Sequence, residues 1–188
     1  VLGTVIATAL LTAAIGVYFA LVVGWPILII GLIGLIVIFL YTPVFNKLPL
    51  LCLLSPGLGF GTLIVVGTYY ALTGSFSWTA LLASFIPFFL VSNLLLLNQF
   101  PDVEADKTVN RKHYPILIGR KASAVVFTAF TALTYVVLIL GVLLKLFPVW
   151  TLLGLLSLIF AVPAVKGALQ HPDDIPNLIP SLGQNVLL

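Results

Sequence analysis

Two aspartates four residues apart, Asp102 and Asp106, are the side chains of this sequence best suited to chemistry. On a helix, residues four apart are neighbours on one face, so these carboxylates and Asn98, one turn earlier, would face the same space. Glu104 would point elsewhere. Two like charges this close repel unless a cation lies between them, and Mg²⁺ usually takes one or two carboxylates together with substrate phosphates. The spacing is therefore compatible with a site for Mg²⁺ and a phosphate-bearing substrate.

The basic residues that follow extend this hypothesis. Lys107, Arg111 and Lys112 could neutralise the remaining phosphate charge. The alternative is a solvated loop in which acids and bases pair weakly, and the spacing alone leaves both open. Pro101 lacks an amide proton, so we expect a kinked helix or a new turn there, and either keeps the two aspartates together.

The composition identifies the elements that must position these residues. The 188-residue chain is 62% hydrophobic and 7% charged, whereas a soluble domain has about 25% charged residues. No charged side chain occurs in residues 1–46, 48–101 or 122–144. These facts exclude soluble and disordered proteins. The net charge of +3 then reflects basic loops at a lipid bilayer, and we expect no nucleic-acid partner.

Proline, glycine and charge divide the chain into six apolar segments, with a seventh beginning near Ile175. Their lengths, without period-2 alternation, predict helices rather than barrel strands. We therefore expect an all-α polytopic membrane helix bundle, one domain over residues 1–188, with six complete transmembrane helices and the start of another. The six segments are 2–22, 26–41, 50–73, 78–100, 122–145 and 149–168.

The connections between these segments alternate in character. Trp25, Trp78 and Trp150 lie in the connections after the first, third and fifth segments, while nearly all charged residues lie after the second, fourth and sixth. Tryptophan favours the membrane interface, and Lys and Arg favour the cytoplasmic side. The charged loops are therefore expected to be cytoplasmic, and Val1 to start on that side.

Four segments of the chain carry recognisable motifs. They are the series Asn98, Asp102, Asp106, followed by a basic run and Gly119-Arg120, and the segments 41–47, 57–74 and 173–180. Together they resemble the UbiA superfamily of intramembrane prenyltransferases. The first is similar to the family's second aspartate motif, and residues 41–47 resemble its Tyr-to-Lys loop. Residues 57–74 resemble a helix of the menaquinone-type branch, and residues 173–180 resemble the loop before the last helix. The matches follow the family's order over almost the whole chain.

The resemblance implies nine helices around a cavity, with two Asp-rich motifs at its cytoplasmic mouth. Those motifs would hold Mg²⁺ and an isoprenyl diphosphate, whose prenyl group is transferred to an aromatic quinone precursor or another lipid. A menaquinone-type enzyme implies a prokaryotic cell membrane. Asp102 and Asp106 are then the expected catalytic and metal-binding residues. The expected substrate-binding residues are Asn98, Tyr41, Lys47, Lys107, Arg111 and Lys112.

The sequence departs from the family pattern in two respects. The family's first aspartate motif would precede the first apolar segment, and it is not among these residues. Since the chain also contains no Met, we expect it to begin inside a longer protein and to be inactive alone. Asn110 and His113 stand where many members have Gly and Thr. The alternatives to an enzyme are a helical transporter or a non-catalytic membrane subunit.

Several residues allow two interpretations. Tyr41 suits the membrane interface as well as a cavity, and Lys47 suits a positive-inside anchor as well as diphosphate contact. His113 could accept a proton from the alkylated ring or be a bystander. Cys52 is expected to be a buried, inert thiol.

Two further groups predict helix packing. Ser92 and Asn93 would hydrogen-bond between helices, with a cavity role as the alternative. Gly57, Gly59 and Gly61 are expected to let helices approach closely.

Overall fold

The computed structural model of the protein describes residues 2–188, and the predicted position of Val1 lies outside them. This part of the chain is helical and contains no strand, which confirms the all-α prediction. A short 3₁₀ turn occupies Phe45–Lys47. Residues 2–188 form eight helices, which are α1 Leu2–Val23, α2 Pro26–Tyr41, α3 Pro49–Thr73, α4 Trp78–Thr108, α5 Tyr114–Leu117, α6 Gly119–Leu143, α7 Val149–Gln170 and α8 Ile175–Val186.

Five of these helices, α1, α3, α4, α6 and α7, are long and apolar enough to cross a bilayer. The prediction of six complete spans is therefore modified at α2. Its 16 residues extend only about 24 Å at 1.5 Å per residue, less than the roughly 30 Å of a hydrocarbon core. The protein is a multi-pass integral membrane protein.

Helix α4 is longer than its apolar segment. The sequence places an end near residue 100, but the helix continues past Pro101 to Thr108. Its 31 residues extend about 46 Å, which exceeds the hydrocarbon core. The last turns, which carry Asp102 and Asp106, therefore project beyond the apolar layer on a continuation of a membrane-spanning helix.

The core surrounds α4, which packs most extensively on α6 and on the middle of α3. Helices α7 and α8 pack against each other, and the α1–α2 hairpin contacts α3 at the edge of the bundle. The central buried side chains are Leu53, Leu96, Leu97, Phe100, Ala124, Phe127, Ala164, Ala168 and Leu178. Most described side chains of α1 are exposed, as expected for a lipid-facing helix.

Close packing between α3 and α4 depends on two of the three glycines in the segment Gly57–Leu63. This segment has π-helical hydrogen bonding. A Cβ at Gly57 or Gly61 would collide with the Phe88 backbone, whereas one at Gly59 would meet no atom within 4 Å. The predicted close approach is confirmed at Gly57 and Gly61 and is wrong at Gly59.

Asn93 joins α4 to its neighbours by hydrogen bonds inside the bundle. Its side-chain Nδ2 donates to Phe127 O and to Thr131 Oγ1, both at 2.9 Å. Asn185 Nδ2 of α8 donates to Asn93 O at 3.4 Å. The interhelical prediction is confirmed for Asn93, whereas Ser92 Oγ has no hydrogen-bond partner among the described residues.

The three charged connections meet at one end of the bundle. Lys112 N donates to Asn46 O at 2.8 Å, which joins the connection after α2 to the one after α4. Arg120 donates from Nε to Phe100 O at 2.8 Å, and its Nη1 lies 3.9 Å from Asp173 Oδ1. These contacts bring the connection after α7 to the same place. The alternating loop pattern therefore corresponds to a charged end of the molecule.

Candidate functional site

A cavity of about 250 Å³ opens at the charged end of the bundle. Side chains from the end of α2, the start of α3, the last turns of α4 and the loop after α4 meet around it. They are Tyr41, Asn46, Cys52, Leu95, Asn98, Gln99, Asp102, Asp106, Arg111 and His113. A larger apolar groove of about 500 Å³ lies between α1 and α2, but no ionisable side chain lines it. The chemistry available to the described residues is therefore concentrated at the charged end.

Helix α4 presents Asn98, Asp102 and Asp106 to this cavity from one face, as the four-residue spacing predicts. Glu104 points elsewhere, as expected. Its carboxylate is largely exposed and lies 2.9 Å from Lys107 Nζ. Because an exposed pair of this kind contributes little to stability, Glu104 and Lys107 belong to the solvated surface of the helix.

Asp106 is buried and accepts a hydrogen bond on each carboxylate oxygen. Arg111 Nη1 donates to Oδ1 at 3.0 Å, and His113 Nε2 lies 3.0 Å from Oδ2. Asp102, one turn earlier, is exposed and makes no side-chain hydrogen bond within residues 2–188. The two aspartates thus differ in surroundings although they share a cavity.

The end of α4 explains how Arg111 reaches Asp106. Asn110 N donates to Lys107 O at 3.2 Å, and Arg111 N donates to Asp106 O at 3.1 Å. These two bonds form a Schellman motif, in which the residue after the C-cap adopts a left-handed conformation. Asn110 has φ 57°, and Asn is, after Gly, a residue that tolerates this conformation. Asn110 can therefore occupy this position, which would also suit the Gly expected from the family resemblance.

His113 is 1% exposed, and burial lowers the pKa of its imidazole, opposed by the carboxylate of Asp106. In the neutral imidazole, the tautomer with the proton on Nε2 donates to Asp106 Oδ2. Nδ1 is buried and has no hydrogen-bond partner among the described groups. A proton on Nδ1 would therefore be a buried, unsatisfied donor, which is costly.

A second group of polar side chains surrounds the thiol of Cys52, at the start of α3. Gln99 Nε2 donates to Cys52 Sγ at 3.4 Å, and the thiol lies 3.8 Å from Asn46 Oδ1. The Tyr41 hydroxyl is 4.0 Å from the same sulfur. Cys52 is buried as predicted, and Tyr41 lines the cavity while remaining only half-buried.

Comparisons with known proteins agree with the motifs of this site. The model of the UbiA prenyltransferase family matches residues 2–175. The chain belongs to this family. It is 29% identical over 161 residues to 1,4-dihydroxy-2-naphthoate octaprenyltransferase of Bacillus subtilis, covering 84% of this chain and 51% of that protein. The suggested resemblance to the UbiA superfamily is thereby confirmed.

A second relative of this UbiA family chain is 2-carboxy-1,4-naphthoquinone phytyltransferase of Synechocystis. The two are 29% identical over 124 residues, which is 66% of this chain and 39% of that protein. The chain thus spans about half or less of the length of these curated relatives. No solved structure gives a significant match. Both relatives carry names from naphthoquinone chemistry, in agreement with the menaquinone-type branch.

The structure brings some of the residues expected from the UbiA resemblance to the cavity and leaves others outside. Asn98, Tyr41, Asp102, Asp106 and Arg111 line it. The three lysines among the predicted substrate-binding residues, Lys47, Lys107 and Lys112, are exposed and absent from its lining.

Sequence reasoning did not assign Asn46, Gln99 or Cys52 to the site. A signal exists for Gln99, because it lies three residues before Asp102 on the same helix. Asn46 lies inside the family-like segment 41–47, but its burial depends on the contact with Lys112 in a distant loop. For Cys52, flanked by leucines, no sequence signal points to a polar environment.

The donor set fits Mg²⁺ that is shared with a phosphate ligand. No cluster of three or more His, Cys, Asp or Glu side chains able to hold a metal occurs in the described part of the chain. Asp102 has a free carboxylate, and each oxygen of Asp106 accepts one hydrogen bond and retains a lone pair. Mg²⁺ commonly binds through one or two carboxylates, waters and substrate phosphates, and this pair supplies such a partial set.

Proposed function

We propose that the protein transfers an isoprenyl group from a prenyl diphosphate to an aromatic quinone precursor in the membrane, with Mg²⁺. The observation that supports this is the cavity in which Asp102 and Asp106 lie at the charged end of an apolar helix bundle. Membership of the UbiA family and the naphthoate-related names of two relatives support a bicyclic aromatic acceptor. The activity is proposed for the full-length protein.

The proposed binding roles follow the distribution of charge around the cavity. Asp102 and Asp106 would hold Mg²⁺, and Arg111 is the basic side chain in the lining that can contact the diphosphate. Asn98 and Tyr41 supply neutral polar groups. The exposed lysines, Lys47, Lys107 and Lys112, would raise the positive potential around the site and favour the approach of an anion.

In the proposed reaction, the allylic carbon–oxygen bond breaks and its electron pair leaves with the diphosphate. The allylic carbon then forms a carbon–carbon bond with the acceptor ring, and the ring loses a proton. Bound Mg²⁺ would stabilise the charge of the leaving diphosphate. Arg111 adds positive charge on the same side of the cavity. The apolar bundle limits the access of water, which would otherwise quench an allylic cation.

We also propose that the charged loops face the cytoplasm of a prokaryotic cell. The Lys- and Arg-rich connections at one end and the tryptophans in the alternate connections support this orientation. The family's first aspartate motif does not occur in these 188 residues. We therefore propose that these 188 residues, which carry the second aspartate motif without the first, do not catalyse the transfer alone.

The test is prenyl transfer by the full-length protein in proteoliposomes. A prenyl diphosphate and 1,4-dihydroxy-2-naphthoate are supplied, and prenylated product and released diphosphate are measured with Mg²⁺ or with a chelator. We expect product only with Mg²⁺ and a loss of at least about 100-fold for the Asp102→Asn, Asp106→Asn double variant. Glu104→Gln is the matched control on the same helix. Full activity of the double variant would contradict the proposal, and solute flux without diphosphate release would favour a transporter.

A further inference from the structure

We propose that His113 is a positioning residue that fixes the carboxylate of Asp106 in the orientation needed to bind a cation. The inference rests on the proposed function of the site and extends it to a residue whose side chain contacts one of the two aspartates proposed to bind the metal. The relevant contact joins His113 Nε2 to Asp106 Oδ2 over 3.0 Å.

The backbone around His113 holds the ring in place from two directions. Ile116 N and Leu117 N both donate to His113 O at 3.0 Å, so the residue begins the short helix α5. The preceding Lys112 N donates to Asn46 O at 2.8 Å. Because both anchors are backbone hydrogen bonds, the ring position follows from the fold of two loops.

The two donors on Asp106 differ in their freedom to move. The side chain of His113 is 2% exposed, whereas that of Arg111 is 46% exposed. Arg111 can therefore leave Oδ1 for a phosphate oxygen without a change in the backbone. The enclosed ring of His113 has less freedom to move than Arg111, and we expect it to remain on Oδ2 when the other oxygen is released.

This arrangement leaves one oxygen of Asp106 constrained and the other exchangeable. Asp102, by contrast, is exposed and lacks a side-chain donor within residues 2–188. A carboxylate that is already oriented loses less rotamer entropy on binding a cation than a free one. Removing such a hydrogen-bonded support of a metal ligand typically weakens metal affinity by about 10–100-fold.

The experiment measures cation binding directly on the full-length protein. Purified protein in detergent is equilibrated by dialysis against solutions of Mn²⁺ and inorganic pyrophosphate, and the excess Mn²⁺ on the protein side is measured as bound metal. His113→Leu removes the donor, and His113→Gln places an amide N–H near the position of Nε2. His171→Leu, at the other histidine of the chain, is the control.

We expect the Kd of Mn²⁺ to rise about 10-fold in His113→Leu, while His113→Gln stays within about threefold of wild type. The thermal midpoint without metal is recorded for each variant. Equal affinities in wild type, His113→Leu and His113→Gln would overturn the inference, and so would an equal loss in both variants.

If His113→Leu does not fold, His113→Asn replaces it, because its shorter amide donates near the position of Nδ1 and not of Nε2. Weaker Mn²⁺ binding by His113→Asn than by His113→Gln supports the inference, and equal binding overturns it. Absence of Mn²⁺ binding by wild type would overturn both this inference and the proposed metal site. Intact Mn²⁺ binding without prenyl transfer would contradict the proposed reaction alone.

Discussion

Asp102 and Asp106 line one cavity from one face of α4, but only Asp106 is buried and hydrogen-bonded on both carboxylate oxygens. Its donors, Arg111 and His113, both come from the loop after the helix. Asp106 therefore has a structural role in connecting α4 to that loop in addition to its proposed role in binding a cation. Asp102 has no such role, and the two residues should respond differently to substitution.

Replacing Asp106 by Asn should lower both activity and stability, whereas replacing Asp102 should lower activity alone. An amide at residue 106 turns an N–H toward one of the two donors, so a buried polar group loses its partner. We expect Asp106→Asn to reduce the free energy of unfolding by about 1–3 kcal/mol. Asp102→Asn should leave it nearly unchanged, because Asp102 is exposed. Unfolding of the purified variants in detergent measures the difference, and equal stabilities would contradict the structural role of Asp106.

Asn110 should tolerate Gly better than Ala, because it occupies the left-handed position of the Schellman motif with φ 57°. Asn110→Gly should keep stability and prenyl transfer near the wild-type values. Asn110→Ala should cost about 1 kcal/mol, since Ala has a Cβ but lacks the short polar side chain that lets Asn adopt this conformation by local hydrogen bonding, and it should displace Arg111 from Asp106. The thermal midpoint and the Km for prenyl diphosphate test the two effects.

Lys145 offers a control for this backbone effect. It also has a left-handed backbone, with φ 58°, but it does not line the cavity. Lys145→Gly should raise stability slightly without changing Km. If the Km for prenyl diphosphate is the same in Asn110→Ala and wild type, the contribution of Arg111 to substrate binding does not depend on the conformation of the turn at Asn110.

The sequence was sufficient to predict the helical membrane architecture and the pairing of the two aspartates. Both depend on local properties: apolar length decides the first, and four-residue spacing decides the second. The end of α4 was harder to predict. Pro101 and the first charges after it suggested that the helix ends near residue 100. The helix instead contains Pro101 and continues to Thr108, beyond the apolar layer.

Which basic residues enter the cavity could not be derived from their order in the sequence. Arg111 does so because Asn110 turns the chain back toward Asp106, whereas Lys107 faces Glu104 on the solvated side. The burial of His113 depends on the bond between Lys112 and Asn46, which belong to different loops. Such contacts between distant segments carry no periodic signal, and the sequence therefore left the role of His113 open.

Asp174 should contribute to stability at neutral pH and lose that contribution in acid. Its carboxylate caps α8 by accepting from Asn177 N at 3.4 Å and from Asn177 Nδ2 at 2.6 Å. These bonds lower the pKa of Asp174 below its usual value of 3.8. Because the pKa is lower in the folded state, the stabilisation is present above the unfolded-state pKa and is lost as pH falls through the folded-state value.

The measurement compares wild type with Asp174→Asn, which can still cap the helix but cannot titrate. Thermal midpoints recorded from about pH 6 to about pH 3 should favour wild type at the higher pH and converge at the lower pH. Other carboxylates titrate in both proteins and cancel in the difference. A difference that is independent of pH would contradict the assigned role of the carboxylate.

Gly57 and Gly59 provide a matched pair for testing the packing of α3 on α4. A methyl group at Gly57 would collide with the backbone of Phe88, but a methyl group at Gly59 would meet no atom within 4 Å. Overpacking of this kind typically costs about 1–3 kcal/mol, so Gly57→Ala should lower the free energy of unfolding by that amount. Gly59→Ala should have no cost or should stabilise slightly, because Ala favours a helix. Since α4 carries Asp102 and Asp106 at its far end, a displaced α4 should also lower prenyl transfer in Gly57→Ala. Equal stability of the two variants would show that the close approach at Gly57 does not determine the position of α4.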